Sequence, residues 1–122
     1  MMGKPNVIAE KSEEFAVRIV NLYKFLIKDK KEYVLSKQIF RSGTSIGANV
    51  SESRNAQSSG DFVSKLNIAL KEADETAFWL RLLKRTDYIT EEQFESMDND
   101  INEIISILVS IIKTTKTNNV IK

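Results

Sequence analysis

The sequence predicts an all-α protein: a left-handed, antiparallel four-helix bundle with up-down-up-down connections, forming one domain over residues 1–122. Three observations support this fold class. Apolar residues recur every three or four positions in four segments, as on the buried face of an amphipathic helix. Short polar stretches separate the segments, and short connections make consecutive helices antiparallel neighbours. No segment shows the alternating pattern of a strand, and no internal repeat is present.

The first two helices are expected at about residues 6–28 and 36–55. The first ends in a lysine-rich stretch that no longer follows the apolar spacing. Ser36 is predicted to be the N-cap of the second helix, because serine side chains accept hydrogen bonds from free N–H groups at helix starts. Leu35 and Phe40 are placed to form a hydrophobic staple around it.

The third helix is expected at about residues 61–86, opened by Asp61 or by a serine just before it. The fourth is expected at about residues 90–114, where Thr90 followed by Gln93 matches a capping box. Its apolar residues follow a regular heptad spacing. The polar tail beyond this helix is expected to fray.

The fourth helix carries more apolar residues than one buried face needs. Ile105, Ile107, Val109 and Ile112 lie beside its heptad positions. A helix that is apolar on several sides is normally buried on several sides, so the extra face predicts contact with another subunit. The alternative is a monomer with an unusually apolar helix.

Composition narrows the classes of function. Apolar residues make up 42% and charged residues 29% of the chain, an ordinary globular composition. Cysteine and histidine are both absent, which excludes disulfides, zinc-thiolate sites, Cys- or His-dependent catalytic triads and di-iron sites that need Glu-x-x-His pairs. We therefore expect no enzyme activity, no metal and no cofactor. No apolar run is long enough to cross a bilayer and no secretory signal is recognisable, so a cytoplasmic protein without membrane contact is expected.

The net charge of +1 conceals an asymmetry along the chain. Residues 18–41 hold seven basic and two acidic residues, whereas residues 72–103 hold ten acidic and three basic ones. Opposite patches suit head-to-tail self-association or a basic face for a polyanion. The alternative is two solvated helix faces of opposite sign.

A polar stripe interrupts the apolar pattern of the second helix. It consists of Arg41, Ser42, Ser45, Asn49 and Glu52. Polar groups inside a packed protein are costly unless they are hydrogen-bonded. The third helix offers partners on one face, namely Lys71, Glu72, Glu75 and Trp79. Three carboxylates occur in these two sets, those of Glu52, Glu72 and Glu75. We expect them to pair with Arg41, Asn49 and Lys71.

Small residues accompany the polar stripe. Gly43 and Gly47 lie four positions apart, which predicts the close approach of another backbone. Ala73 and Ala77 present a similarly small surface on the third helix, so the two small faces are expected to meet.

Three interpretations of the polar cluster remain open. It is a structural network that sets helix register or subunit pairing. It is a ligand or nucleic-acid site built from Arg41, Lys71, Asn49 and the serines. Or it is a metal or hydrolytic site in a pocket lined by Glu52, Glu72 and Glu75, which the missing histidine disfavours.

The residues of the second and third helices resemble a known family. The similarity runs through Arg41-Ser42-Gly43-Thr44-Ser45-Ile46-Gly47-Ala48-Asn49 and Glu52, and then through Asp61-Phe62, Lys65-Leu66, Ile68-Ala69-Leu70-Lys71-Glu72-Ala73, Glu75-Thr76 and Phe78-Trp79-Leu80. In this pattern the chain resembles the four-helix-bundle proteins associated with intervening sequences of bacterial ribosomal RNA. It is also similar to the accessory variability protein of diversity-generating retroelements.

The resemblance implies a ring of subunits, with a homopentamer favoured, and a basic surface that engages RNA or DNA. It implies no catalytic residues. The leading hypothesis is therefore a non-enzymatic homo-oligomer that binds nucleic acid through the basic stretch, whose candidate contacts are Lys24, Lys28, Lys30, Lys31, Lys37 and Arg41. The alternative is a scaffold whose partner is another protein.

Overall fold

The computed structural model describes residues 6–121, with side chains through residue 118. Within that range the chain forms four helices and no strand. They are α1 (Val7–Lys28), α2 (Leu35–Ser53), α3 (Ser59–Arg85) and α4 (Glu91–Ile121). The predicted all-α four-helix bundle is confirmed.

The start of α2 is capped by Glu32. Its carboxylate accepts the backbone N–H groups of Val34 (3.1 Å), Leu35 (2.8 Å) and Ser36 (2.7 Å). The loop turns back to make this possible, because Lys31 adopts a left-handed backbone conformation with φ 55°. Glu32 is buried although it is acidic. Three donors at a helix start, where the helix dipole favours negative charge, account for its position.

The prediction that Ser36 caps α2 was therefore wrong. Glu32 already accepts the Ser36 N–H, and the Ser36 hydroxyl is left buried without a partner. The expected staple is also absent from the core, because Phe40 is 37% exposed and packs on Tyr23 instead.

The other two predicted caps are observed. Ser58, a serine just before Asp61, accepts the Asp61 N–H at 3.0 Å and is the N-cap of α3. At α4, the Gln93 side chain accepts the Thr90 N–H (2.8 Å) and the Thr90 hydroxyl accepts the Gln93 N–H (3.1 Å). These reciprocal bonds form the capping box.

The fourth helix continues to Ile121 rather than ending at about residue 114. No glycine or proline lies between these positions, so nothing in the sequence stops a helix there. Its last packed turn is anchored by Ile112 in the core, and the Thr115 hydroxyl donates to the Ile111 carbonyl at 2.8 Å.

The extra apolar face of α4 is largely used within the subunit. Ile112 is only 7% exposed, and Ile105 and Ile107 are half-buried against the core. Of the four residues expected to meet another subunit, Val109 alone is exposed, at 46%. The interpretation of Ile112 as an assembly residue was wrong, because Ile112 lies on the core side of α4.

Close packing joins α1 to α2. A Cβ atom at Gly43 would lie 2.6 Å from Cγ1 of Ile19, and one at Gly47 would lie 3.2 Å from the Ser12 carbonyl oxygen. The glycines therefore do mark a close approach, but the approaching helix is α1 and not the alanine face of α3. Ala73 and Ala77 are instead part of the common core.

Neighbouring helices contact each other in opposite residue order. Along α1 and α2, Gly47 lies near Ser12 and Gly43 near Ile19. The same reversal holds between α2 and α3 and between α1 and α4, through the pairs Arg41–Glu75, Glu52–Lys65, Lys11–Glu103 and Arg18–Asp100. Such reversal is what up-down-up-down connectivity requires; the full topology and its left-handed turn stay predictions.

The seam between α1 and α4 is the sparsest of the four between neighbouring helices. It is bridged on the outside by ion pairs, Lys11 to Glu103 at 3.2 Å and Arg18 to Asp100 at 2.6 Å. Arg18 also donates to the Ser96 hydroxyl at 2.8 Å. The basic charge of Arg18 is thus already engaged by α4.

Replacing Gly43 with alanine tests the close packing of α1 and α2. The new Cβ would overlap the fully buried Ile19, and this overpacking outweighs the helix propensity gained. We expect Gly43→Ala to lower the free energy of unfolding by about 1–2 kcal/mol, measured by urea denaturation.

Gly60→Ala is the matched control in the first turn of α3, where the nearest heavy atom is Ser58 Oγ at 3.9 Å. It should leave stability unchanged or raise it by less than about 1 kcal/mol. Equal unfolding midpoints for Gly43→Ala and the wild type would contradict the packing described.

Candidate functional site

Arg41 lies between two carboxylates of α3. Its Nη1 is 3.2 Å from Oε1 of Glu72, and its Nη2 is 2.5 Å from Oε2 of Glu75. The forked guanidinium suits this arrangement because it can donate in two directions at once. This part of the predicted network is observed. The Arg41 side chain is 51% exposed, so the pair contributes modestly to stability.

Trp79 completes this cluster. Its indole N–H donates to Oε2 of Glu75 at 3.0 Å, one helical turn away. Two hydrogen bonds lower the pKa of Glu75: the one from Arg41 has the larger effect and the one from Trp79 the smaller. The same ion pair raises the pKa of Arg41. Trp79 is half-buried and also meets Phe78 edge-on, with ring centroids 5.0 Å apart.

A buried hydroxyl pair lies beneath the ion pairs. Thr76 donates to Oγ of Ser42 at 2.9 Å and lies 2.8 Å from the Glu72 carbonyl oxygen. Both residues are fully buried. Thr76 was missed in the sequence because a threonine among alanines resembles ordinary core. The sequence did offer one signal: Thr76 lies four residues after Glu72 and therefore shares its face of α3.

Ser45 and Asn49 do not reach α3. Ser45 Oγ donates to the Arg41 carbonyl at 2.6 Å, and Asn49 Nδ2 donates to the Ser45 carbonyl at 2.9 Å. Both side chains therefore bond along their own helix, as short polar side chains commonly do. The expectation that Asn49 answers a carboxylate was wrong.

Glu52 pairs with Lys65 rather than with Lys71. Lys65 Nζ lies 3.0 Å from Oε1 of Glu52, and this contact raises the pKa of Lys65. Lys71 is exposed and takes part in no ion pair among residues 6–118. Since α2 and α3 run in opposite directions from a short turn, a residue at the end of α2 faces the start of α3. This antiparallel register was the signal in the sequence that could have identified Lys65 as the partner of Glu52.

The cluster lies at the surface, where the Glu75 side chain is 36% exposed. Among the residues that the structure describes, no three Asp or Glu side chains converge to hold a metal ion. A wide cleft of about 1270 Å³ lies elsewhere, at the α2–α3 turn, and is lined by Ile8, Phe62, Leu66 and Ile107, among others. Glu52, Glu72 and Glu75 do not line it.

The lysine-rich surface is the second candidate site. We define it as Lys24 and Lys28 of α1, Lys30 and Lys31 of the following loop, and Lys37 of α2. All five are exposed, and none lies within ion-pair distance of a carboxylate in the described part of the chain. Arg41, the sixth predicted contact, does not share this property because Glu72 and Glu75 engage it.

No helix within residues 6–121 is long and apolar enough to span a membrane.

Comparison with known proteins identifies close relatives. A family model described as 23S rRNA-intervening sequence protein matches residues 4–110. The chain is also 67% identical to a protein of unknown function from the S23 ribosomal protein family of Bacteroides thetaiotaomicron, whose crystal structure superimposes with a TM-score of 0.88. That match covers 88% of this chain and 96% of the other. No curated protein matches this chain.

Acidification tests the Arg41–Glu75 pair. Because the pKa of Glu75 lies below the usual glutamate value of about 4.3, its contribution is present at neutral pH and is lost as the pH falls through that lowered pKa. We expect Arg41→Met to cost less than about 1 kcal/mol at pH 7 and to lose less stability than the wild type between pH 5 and about pH 3. Urea unfolding at several pH values measures both.

Arg81→Met is the control, since Arg81 is exposed on α3 and is outside every ion pair of the described residues. The stability of Arg81→Met should depend on pH as that of the wild type does. If the stability of Arg41→Met shows the same pH dependence as the wild type, the Arg41–Glu75 pair is not the cause.

Proposed function

This chain belongs to the family of 23S rRNA-intervening sequence proteins, and from that premise we propose that it is a non-enzymatic, homo-oligomeric accessory protein that binds RNA or DNA. The lysine-rich surface is the proposed contact. The proposal places the protein in the cytoplasm and assigns it no cofactor, no metal and no membrane contact.

The observation that carries the proposal is the set of five exposed lysines without carboxylate partners. Ammonium groups without carboxylate partners can neutralise phosphates without first breaking an ion pair. Among the five, Lys30 lies over the Phe25 ring, with its Nζ 5.8 Å from the ring centroid. Several basic groups elsewhere are engaged: Arg18 meets Asp100, Arg41 meets Glu75, and Lys65 meets Glu52. Others, such as Lys71 and Arg81, also lie outside the ion pairs of the described residues, but they are spread over separate parts of the chain. The concentration of five such lysines within residues 24–37 favours a polyanion.

The buried cap leaves one acidic side chain fewer on this surface. Glu32 is the acidic residue nearest to Lys31, and its carboxylate is occupied by three backbone N–H groups. It is also buried, so it does not project among the lysines. Asp29 is therefore the one exposed acidic residue of residues 24–37, against five exposed lysines.

Apolar surface supports self-association. Val17 is 56% exposed, Ile68 40% and Val109 46%, on three different helices. Scattered exposed apolar residues also occur in monomers, so the proposal of a homo-oligomer, with a pentamer favoured, rests mainly on the resemblance described above.

An alternative function is a scaffold for another protein. The wide cleft at the α2–α3 turn favours it, because apolar side chains such as Phe62 and Ile107 line an opening large enough for a peptide segment. A scaffold would keep its activity when the lysine-rich surface is reversed in charge.

A salt titration tests nucleic-acid binding. We expect micromolar or tighter binding to RNA or DNA in 50 mM salt, weakening steeply as salt rises because phosphate contacts release counterions. Lys28→Glu with Lys31→Glu should abolish binding, whereas Lys113→Glu with Lys116→Glu, exposed on α4, should reduce it far less. Gel-shift assays measure this, and no binding at micromolar protein in 50 mM salt overturns the proposal.

Light scattering tests self-association. The subunit mass is 13.9 kDa, and we expect a mass about five times larger for the assembly. Ile68→Glu should lower that mass while leaving the helical circular dichroism unchanged, because Ile68 lies outside the buried core. A monomeric wild-type mass removes the oligomer from the proposal.

A further inference from the structure

Two aromatic rings lie across the junction of α1 and α2. The centroids of Tyr23 and Phe40 are 4.8 Å apart and their planes are tilted by 47°. Phe40 is 37% exposed and does not belong to the buried core. An exposed phenylalanine held against a second ring presents a fixed apolar surface to solvent.

A third ring lies on the loop that joins these helices. Tyr33 is 51% exposed. Its position is fixed from both sides, because the Glu32 carboxylate binds the next three N–H groups and the Glu32 N–H donates to the Leu26 carbonyl at 2.9 Å. The ring therefore projects from an ordered turn.

The lysine-rich surface and these rings belong to the same stretch of chain, residues 23–40. Lys37 lies three residues before Phe40, so Lys37 and Phe40 share one side of α2. On α1, Lys24 directly follows Tyr23 in the sequence. Lys31 lies two residues before Tyr33. Exposed aromatic rings and exposed lysines thus alternate along one hairpin.

This combination discriminates between forms of nucleic acid. Lysine contacts to phosphate do not by themselves separate a single strand from a duplex. Exposed rings do, because unpaired bases can stack on them, whereas bases inside a duplex are already stacked. Building on the proposed nucleic-acid binding, we infer that this hairpin selects single-stranded RNA or DNA, with bases stacked on Phe40 and Tyr33 and phosphates held by the surrounding lysines.

The test compares three probes at one salt concentration: an unstructured single-stranded RNA, a DNA of the same sequence, and a blunt RNA duplex of equal length. Fluorescence anisotropy should show both single strands binding at least tenfold more tightly than the duplex. Phe40→Ala and Tyr33→Ala should each weaken single-strand binding about 5- to 100-fold, leave duplex binding unchanged and preserve the salt dependence. Phe40→Trp should retain binding because it keeps a stacking face.

Phe78→Ala is the matched control. Phe78 is 46% exposed and packs on Trp79 much as Phe40 packs on Tyr23, but it lies on α3 within the acid-rich half of the chain. It should leave affinity unchanged. Circular dichroism checks that each variant is folded, and Tyr33→Ala, in an exposed loop, remains informative if Phe40→Ala is not.

The outcomes separate this inference from the function on which it rests. Absence of binding to all three probes removes nucleic-acid binding altogether. Equal affinity for single strands and duplex, or ring variants that bind like the wild type, overturns only the single-strand selectivity. A Phe40→Ala variant that changes the assembly mass instead of the affinity assigns that ring to a subunit contact and likewise overturns the inference.

Discussion

The close contact of α1 with α2 is the constraint on which the other helix contacts depend. Gly43 lies against Ile19 and Gly47 against the Ser12 backbone, so α2 has no side chain to offer on that side. Its remaining faces must then supply both the core residues, such as Ile46, and the polar contacts with α3. This division explains why the segment 41–52 looks unlike an ordinary amphipathic helix.

The helix contacts were less predictable from the sequence than the helices themselves. The caps at Ser58 and Thr90 were foreseen because a cap depends on residues within one turn of each other. Glu32 was not, because its role requires a left-handed residue at Lys31 that turns the carboxylate back onto α2. The pairing of Glu52 with Lys65 depends on the register between two helices, which apolar spacing does not specify.

The candidate surfaces show the same distinction. The basic stretch was evident from composition, but which of its charges remain unpaired is decided by tertiary contacts. Arg41 counts as basic in the sequence and is engaged by α3 in the structure, whereas Lys24 and Lys37 remain free of carboxylates among the described residues. The ring of Phe40 was expected to pack against its own helix start and instead meets Tyr23 at the surface.

The sparse seam between α1 and α4 bears on how the chain folds. Every other helix contact joins neighbours in sequence, so each can form by closing a short loop, which costs little conformational entropy. Only the α1–α4 contacts, such as Lys11 with Glu103, span most of the chain. Few native contacts thus depend on distant residues, and such low contact order is associated with rapid folding. The bundle can assemble hairpin by hairpin and join its first and last helices at the end.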